Sequence, residues 1–227
     1  MASGTEARRT TERRRKVMAG NKIIIVGAGV MGQGLAEAIA ATGNEVTLVD
    51  RTTKIARKGI KGISESMDRE IGRWGLTTAE KKATLSRIVP SSDISEAEDA
   101  QIVLEAIPDE LNAKQDLFKQ LDNTCSPETV LVTNTGTLSI SEIASASSRP
   151  GKVIGMHFLN PVTRIPLVEV VKGLKTDKGT FDKAVELAQM LDKKWITVIE
   201  YPGYVTTRII VPLLNEAMHV LMEGVAS

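Results

Sequence analysis

A run of β-branched residues that leads directly into a glycine-rich turn constrains the fold of this chain more than any other feature. Residues 22–26 read Lys-Ile-Ile-Ile-Val, which is typical of a strand buried on both faces of a parallel sheet. Gly27, Gly29 and Gly32 follow in the spacing Gly-x-Gly-x-x-Gly, and apolar residues then recur at helical spacing. This order of strand, turn and helix predicts a dinucleotide-binding unit, because the N–H groups of such a turn and the helix N-terminus hold phosphates.

Each glycine of the turn has its own predicted role. Gly27 permits the tight turn, Gly29 lets a pyrophosphate approach the backbone, and Gly32 lets the helix pack closely on the strand. Val30 and Met31 lie between the last two glycines, and we expect both to contact the same ligand.

The acidic residue after the second predicted strand bears on the choice of nucleotide. Residues 45–49 form that strand, and Asp50 ends it, eighteen residues after Gly32. A carboxylate there can accept hydrogen bonds from both hydroxyls of an adenosine ribose and would repel a 2′-phosphate, so NAD is predicted in preference to NADP. Two alternatives stay open: Arg51 and Lys54 could tolerate a phosphate, and the glycines could form an ordinary turn with Asp50 merely solvated.

Composition narrows the class of protein. A length of 227 residues fits one medium domain, or one domain plus a fragment, and 42% apolar residues suffice for a core. No apolar stretch is long enough to span a bilayer, so we expect a soluble protein with no membrane partner. Cys125 is the only cysteine, which excludes an internal disulfide and fits a reducing, cytoplasmic compartment. A net charge of +1 gives no reason to expect nucleic acid, and we assign no metal ligands.

The first twenty residues differ from the rest of the chain. Residues 1–20 contain six Arg or Lys against two Glu, a net charge of +4 that leaves −3 for the remainder. Because they contain almost no apolar residues, we expect a disordered basic leader. We favour a leader without function over a targeting peptide or a tether to an anionic surface.

Strands and helices alternate along most of the remaining chain, which predicts a doubly wound, Rossmann-like α/β fold with a mostly parallel sheet. The further predicted strands are residues 87–89 (ended by Pro90), 101–107, 129–133, 152–158, 167–171 and 195–199. The predicted helices are residues 52–74, 77–85, 111–121, a short one near Ser139, 181–191 and 205–223, with Pro212 kinking the last helix or marking its start. Ligands should meet the carboxyl ends of the strands, where Gly27, Asp50, Glu105 and Asn134 lie.

The chain has two histidines, His157 and His219, and the first lies on the predicted ligand side of the sheet. Glu169 follows His157 by twelve residues, in a strand that could run back beside it. A carboxylate on one imidazole nitrogen would fix the tautomer and raise the basicity of the other nitrogen. That nitrogen could take a hydroxyl proton while hydride leaves for nicotinamide, although a structural histidine stays an open alternative.

Four segments, in this order, resemble the 3-hydroxyacyl-CoA dehydrogenases over about residues 21–227. They are Gly-Ala-Gly-x-Met-Gly, Asn-Thr-Gly-Thr-Leu-Ser-Ile, Gly-Met-His-Phe-Leu-Asn-Pro followed by Leu-Val-Glu-Val, and Pro-Gly-Tyr-Val-x-x-Arg. The branch that looks nearest is the bacterial 3-hydroxybutyryl-CoA dehydrogenases. The resemblance implies NAD-dependent interconversion of a 3-hydroxyacyl thioester and its 3-ketoacyl thioester.

The resemblance also implies roles for individual residues. His157 would be the general acid/base and Glu169 its partner. Residues implied near the cofactor, beyond the glycine turn and Asp50, are Glu105, Ala106, Lys114 and Asn134. Residues implied near the substrate are Ser66, Arg73, Gly136, Asn160 and Thr207, although Ser66 and Arg73 could simply belong to a polar helix face.

Three departures from the family pattern affect the substrate side. Gly136 replaces a serine, Thr207 replaces an asparagine, and the loop after Asn160 and Pro161 lacks the usual Met-Lys pair. Each lost hydrogen bond to a polarised carbonyl could cost about 1–3 kcal/mol in the transition state. We therefore expect a different substrate or reduced activity.

Three alternatives stay open, the first two because of these departures and the third because other dehydrogenases share the Gly-x-Gly-x-Met-Gly start. The acyl group could be held on a carrier protein in a polyketide pathway, with Arg164 meeting the carrier's phosphate or acidic face. The chain could instead be an NAD-binding relative that turns over weakly. It could also be a different hydroxyacid dehydrogenase, although those enzymes typically use a lysine in place of His157.

The resemblance finally implies domain boundaries. Residues 21–200 would form the NAD-binding domain, and residues 201–227 would begin a helical domain that dimerises in relatives and is otherwise missing here. We expect a fragment or a truncated gene product, which would form a homodimer if that domain were complete. Its first helix should expose an apolar face, formed by Ile209, Ile210, Leu213, Leu214, Met218 and Leu221.

Overall fold

The computed structural model describes residues 22–73 and 75–226. The predicted leader, residues 1–20, lies outside the described residues. The strands are β1 (Lys22–Val26), β2 (Glu45–Val49), β3 (Ile88–Ser91), β4 (Ile102–Glu105), β5 (Val130–Thr133), β6 (Val153–Phe158), β7 (Leu167–Lys172) and β8 (Lys194–Ile199). The α-helices are α1 (Val30–Ala41), α2 (Thr53–Ile71), α3 (Thr78–Leu85), α4 (Leu111–Thr124), α5 (Ile140–Ala144), α6 (Lys178–Met190) and α7 (Thr206–Met222), with short 3₁₀ turns at Ile94–Ala97 and Pro150–Lys152.

The described strands form one sheet in the order β3-β2-β1-β4-β5-β6-β7-β8. Strands β1 to β6 run parallel to their neighbours, β7 runs antiparallel to β6, and β8 runs parallel to β7. The predicted doubly wound, mostly parallel fold is therefore confirmed. The strand order reverses between β1 and β4, and the crevice beyond the carboxyl ends of two such strands is where open α/β sheets bind ligands.

Helices cover both faces of the sheet. Successive side chains of β1 point to opposite faces and pack against different helices. Ile23 and Ile25 belong to a core that also contains Leu35 of α1 and Leu187 of α6. Ile24 and Val26 point to the opposite face and join a second core, which contains Phe118 of α4. All but one of these residues have side chains that are fully buried, so β1 is fixed from both sides and the glycine turn at its end has a rigid base.

Several element ends differ from the sequence predictions for identifiable reasons. Pro90 lies within β3 and does not end it, because β3 is an edge strand where a missing N–H is tolerated. Helix α6 begins at Lys178, three residues earlier than predicted, since Asp177 caps it by accepting from the N–H of Thr180. Helix α7 begins at Thr206, so the alternative that Pro212 marks its start is wrong.

Helix α7 stands apart from the rest of the described chain. None of its side chains is buried, and large apolar residues such as Leu213 and Leu221 are more than half exposed. Among residues 22–73 and 75–226, no helix combines the length and the apolar character needed to cross a bilayer.

Candidate active site

A cleft of about 1480 Å³ lies at the carboxyl ends of the strands. The glycine turn and Asp50 line one part of it, and His157 with Asn160 lines another. Between them lie Ala106, Asn134 and Gly136, together with Val30 and Met31 of the turn. The sheet therefore places most of the predicted nucleotide and substrate residues along one continuous cavity.

The glycine turn is built as tightly as its spacing suggested. Gly27 has a φ of +108°, and a Cβ there would lie 2.6 Å from the carbonyl oxygen of Ala106. A Cβ on Gly32 would lie 1.7 Å from the carbonyl oxygen of Gly27, so helix α1 could not approach the turn with any side chain at that position. A Cβ on Gly29, by contrast, would meet no protein atom within 4 Å, and that position opens onto the cleft.

Asp50 is held at the edge of the cleft by two backbone groups. Its Oδ2 accepts a hydrogen bond of 2.7 Å from the N–H of Ala28, and its Oδ1 accepts one of 2.7 Å from the N–H of Arg51. Each carboxylate oxygen has a further lone pair free to accept from a ligand. The carboxylate is therefore fixed in direction and still able to bind two hydroxyls.

A buried ion pair supports the middle of the cleft from below. Lys114 and Glu105 are both fully buried, and their Nζ and Oε1 atoms are 2.6 Å apart. Lys114 also donates to the carbonyl oxygens of Asn134 (3.2 Å) and Ile107 (3.3 Å), while Thr133 donates to Oε2 of Glu105 (2.6 Å). Burial raises the pKa of Glu105, and the ammonium of Lys114 opposes that shift. The pair joins the ends of β4 and β5 and does not itself line the cleft.

His157 and Glu169 are paired in register across the antiparallel strands β6 and β7. Nδ1 of His157 lies 2.5 Å from Oε2 of Glu169. The Glu169 side chain is fully buried and that of His157 is 15% exposed, so the imidazole reaches the cleft and the carboxylate does not. With Nδ1 engaged by a carboxylate, Nε2 is left for a ligand.

Glu169 receives three further hydrogen bonds from the start of α7. Its Oε1 accepts from the N–H groups of Val205 (2.9 Å) and Thr206 (3.0 Å), and its Oε2 accepts from the Thr206 hydroxyl (2.7 Å). Burial acts to raise the pKa of Glu169, but the Thr206 hydroxyl, His157 and the two N–H groups outweigh it and hold the pKa below its usual value. The carboxylate is therefore ionised and able to orient His157.

Gly136 lies directly against the imidazole. A Cβ at this position would be 2.7 Å from Nε2 of His157 and 3.1 Å from Cε1. Any side chain here would displace the ring from its present position. The absence of a side chain at Gly136 thus leaves space beside Nε2 of His157.

The segment that carries Asn160 is tied down from two sides. Lys193 donates to the carbonyl oxygens of Val162 and Ile165, the latter at 2.6 Å. On the other side Arg164 forms an ion pair with Glu70 of α2. Residues 161–165 form a turn in which the N–H groups of Arg164 and Ile165 both donate to the carbonyl oxygen of Pro161. These contacts fix the residues that follow Asn160, which lines the same cleft as His157.

The structure does not bring every predicted site residue to the cleft wall. Ser66 lies on α2, and Arg73 lies in the turn just beyond its end, and neither lines the cleft. Helix α2 faces the cleft with Lys58, Lys61 and Glu65. Five other predicted residues are not among those that line the cleft: Gly32, Glu105, Lys114, Glu169 and Thr207.

Three residues that the sequence reasoning did not select contribute to the site. Asp109 lines the cleft, pairs with Lys114 at 3.3 Å and accepts from the Thr135 hydroxyl at 2.9 Å. The sequence pattern that could have identified Asp109 is an acidic residue just after a predicted strand, but the resemblance pointed to Glu105 within that strand. Thr206 and Lys193 act through contacts between distant parts of the chain, and the sequence carried no signal for either.

Comparison with known proteins identifies the family. The profile of the 3-hydroxyacyl-CoA dehydrogenase NAD-binding domain matches residues 22–201. This chain belongs to the 3-hydroxyacyl-CoA dehydrogenase family. It is similar to the probable 3-hydroxybutyryl-CoA dehydrogenase of Bacillus subtilis, with 40% identity over 205 residues that cover 90% of this chain and 71% of the relative.

This chain is also similar in sequence and in structure to other members of the 3-hydroxyacyl-CoA dehydrogenase family. The human mitochondrial hydroxyacyl-coenzyme A dehydrogenase is 37% identical over 212 residues, which cover 90% of this chain and 67% of the relative. The crystal structure of (S)-3-hydroxybutyryl-CoA dehydrogenase from Ralstonia eutropha superimposes with a TM-score of 0.85 at 39% identity, covering 91% of this chain and 73% of that one.

The cofactor of this family is NAD, and the residues of the cleft fit it. The open position at Gly29 leaves room for a pyrophosphate against the N–H groups of the turn, and Asp50 presents a fixed carboxylate where the adenosine ribose would lie. The predicted cofactor is therefore supported by the family match and by the steric character of the turn.

Proposed function

We propose that this protein interconverts a 3-hydroxyacyl thioester and the corresponding 3-ketoacyl thioester, with NAD as the redox partner. The observation that carries the proposal is the 2.5 Å contact of His157 Nδ1 with Glu169, which leaves Nε2 free in the same cleft as the glycine turn. This is the arrangement that a general acid/base beside a hydride-transfer site requires.

His157 moves the proton. In the oxidation, Nε2 takes the proton of the C3 hydroxyl while the hydrogen on C3 departs as hydride and the carbonyl forms. Bound NAD⁺ supplies the hydride acceptor. In the reduction, the imidazolium returns the proton to the C3 oxygen. Glu169 stabilises the imidazolium in both directions, because it is ionised and accepts the Nδ1–H.

The surrounding residues bind and orient. Asp50 accepts from the ribose hydroxyls, and the turn from Gly27 to Gly32 holds the pyrophosphate. Asn160, held beside His157 by the segment that Lys193 fixes, orients the thioester or the cofactor. The buried pair of Lys114 and Glu105 keeps Asn134 in place between the two ends of the site.

We further propose that the thioester is a CoA ester and that the protein works in the cytoplasm. Arg164, the cation that a carrier protein's phosphate would need, is already paired with Glu70, which counts against the carrier-bound alternative. Gly136 leaves space beside His157, and the contact of His157 with Glu169 is intact. Both observations favour a protein that accepts a different acyl group over a protein that has lost activity.

The decisive experiment follows NADH oxidation by absorbance with acetoacetyl-CoA and, in parallel, with an acetoacetyl group on an acyl carrier protein. The unmodified chain and His157→Gln are compared, and His219→Gln, an exposed histidine on α7, is the matched control. We expect turnover with acetoacetyl-CoA that His157→Gln abolishes and His219→Gln retains. Turnover only with the carrier-bound substrate would show that the thioester is held on a carrier protein and not on CoA. No turnover with either substrate, while NADH still binds, would reject the proposed activity.

A further inference from the structure

Two groups donate to the same oxygen of Glu169. Oε2 lies 2.5 Å from Nδ1 of His157 and 2.7 Å from the hydroxyl of Thr206, whose backbone N–H also binds Oε1. The hydroxyl and the imidazole therefore compete for the negative charge of one carboxylate oxygen.

The hydroxyl is the only one of these contacts from α7 that depends on the identity of a side chain. The N–H groups of Val205 and Thr206 would reach Oε1 with any residue except proline at these positions. They are also donors at the beginning of α7 that have no acceptor within the helix, and the N-cap residue, Val205, provides no side-chain cap. Glu169 thus caps α7 from the neighbouring sheet, and Thr206 adds one donor that a valine of the same shape would lack.

We propose that Thr206 is a positioning residue of the acid/base pair, whose hydroxyl orients Glu169 and weakens its hold on the imidazolium of His157. The inference rests on the proposed function, because it assigns a regulator to the same proton transfer. Hydrogen bonds to a carboxylate stabilise its charge, so each additional donor reduces the stabilisation left for a neighbouring cation. We therefore expect Glu169 to stabilise the imidazolium more strongly when the hydroxyl is removed.

The Thr206 hydroxyl affects oxidation and reduction in opposite ways. Oxidation of the hydroxyl needs neutral His157, whereas reduction of the ketone needs the imidazolium. Thr206 therefore extends the oxidation-competent range toward acidic pH. A valine at this position would favour the reduction at the same pH.

Few other charged groups bear on the pair. Among the described residues, the titratable groups that interact with Glu169 are His157 on β6 and Tyr204, which lies between β8 and α7. The Tyr204 ring is edge-on to His157 with centroids 6.0 Å apart, and its hydroxyl donates to the carbonyl oxygen of Leu138. Burial raises the pKa of Tyr204 strongly, so it stays neutral and does not alter the competition at Oε2.

The test is a titration of the two histidines by NMR in the full chain, with ring-labelled histidine. Thr206→Val removes the hydroxyl and keeps the shape, Thr206→Ser keeps the hydroxyl, and Thr206→Ala replaces the valine variant if circular dichroism shows that the valine variant is misfolded. His219 on exposed α7 is the internal reference. We expect the His157 midpoint to move to higher pH by about half a unit or more in Thr206→Val, with Thr206→Ser close to the unmodified chain.

Two outcomes would overturn the proposal: an unchanged His157 midpoint in Thr206→Val, or an equal shift in Thr206→Ser, which would indicate a steric effect. Because the NMR measurement needs no turnover, it decides the role of Thr206 even if the proposed activity fails. Where turnover is measurable, the acid limb of kcat/KM for 3-hydroxybutyryl-CoA oxidation should move in the same direction as the NMR midpoint. A limb that stays fixed while the NMR midpoint moves would reject the catalytic part of the inference.

Discussion

His157 and Glu169 occupy directly opposite positions on β6 and β7, although twelve residues separate them in the chain. The pairing depends on the reversal of direction at β7, since a parallel strand would need a long crossover to return to the same edge. The loop between the two strands contains Asn160, so one hairpin-like unit contains His157, Glu169 and Asn160.

Glu169→Gln should lower kcat by roughly a hundredfold or more, because the imidazolium loses its charged partner. The acid limb of the pH–rate profile should move to lower pH for the same reason. Both are measured in steady-state assays, with NADH affinity by fluorescence as the control, since the glycine turn is untouched. A variant with the original rate and the original acid limb would remove Glu169 from the mechanism.

Asp50 should set the preference for NADH over NADPH. In Asp50→Ala the difference between the two dissociation constants should shrink by about tenfold or more, the effect of losing hydrogen bonds to a charged group. Fluorescence titrations with both cofactors measure it, and Asp99→Ala, an exposed carboxylate at the opposite ends of the strands, is the control. Equal affinities in the unmodified chain would show that Arg51 accommodates the 2′-phosphate.

Gly136→Ala should reduce turnover sharply and leave NADH binding intact. The new Cβ would lie 2.7 Å from Nε2 of His157, so the ring must move away from its present contact with Glu169. Gly179→Ala is a suitable control, because a Cβ there meets only Asp177 Oδ1 at an ordinary 3.5 Å. Full activity in Gly136→Ala would mean that the ring has freedom the structure does not indicate.

Lys193→Met should loosen the segment that carries Asn160, since two carbonyl oxygens lose their donor. Hydrogen exchange should accelerate at the amides of Arg164 and Ile165, and acetoacetyl-CoA should bind about tenfold more weakly, as expected for losing charge-assisted hydrogen bonds. Lys194→Met, the exposed neighbour, should change neither quantity. Unaltered exchange in Lys193→Met would show that Val162 packing alone holds the segment.

Glu37→Gln should stabilise the protein at neutral and alkaline pH. Burial, followed by the nearby charge of Glu70, raises the pKa of Glu37 to about 7, above its value of 4.5 when unfolded. The folded state therefore takes up a proton at Glu37 between these values. The contribution of Glu37 to stability is fully present below pH 4.5 and is lost as the pH rises through about 7.

The glutamine variant lacks this ionisation, so the free energy of unfolding should rise by about 1–2 kcal/mol at pH 8. The gain should vanish near pH 4. Urea denaturation at the two pH values measures the difference. A gain of the same size at both pH values would mean that packing, and not ionisation, is responsible.

The sequence was most informative where local pattern and chemistry coincide. The run from Lys22 to Gly32 predicts a strand, a turn and a helix, and the structure has all three. The prediction that Glu169 lies in a strand running back beside His157 also matches the antiparallel pairing of β6 and β7. The position of Glu105 and Lys114 beside the cofactor stays a prediction. The sequence did not reveal that the two form a fully buried ion pair, because a pattern of charges does not show which residues meet in the fold. Thr206 meets Glu169 from 37 residues away, a contact that only the folded chain creates.

Helix α7 contacts Glu169 at its first residue, and the side chains along its length are not buried within the described chain. Its 17 residues make a rod roughly 25 Å long, fastened at its start to the carboxylate of Glu169. A shift in the direction of α7 would therefore change the geometry of the donors at Glu169. Under the proposed mechanism, a partner packed against α7 would affect proton transfer at His157 without entering the cleft.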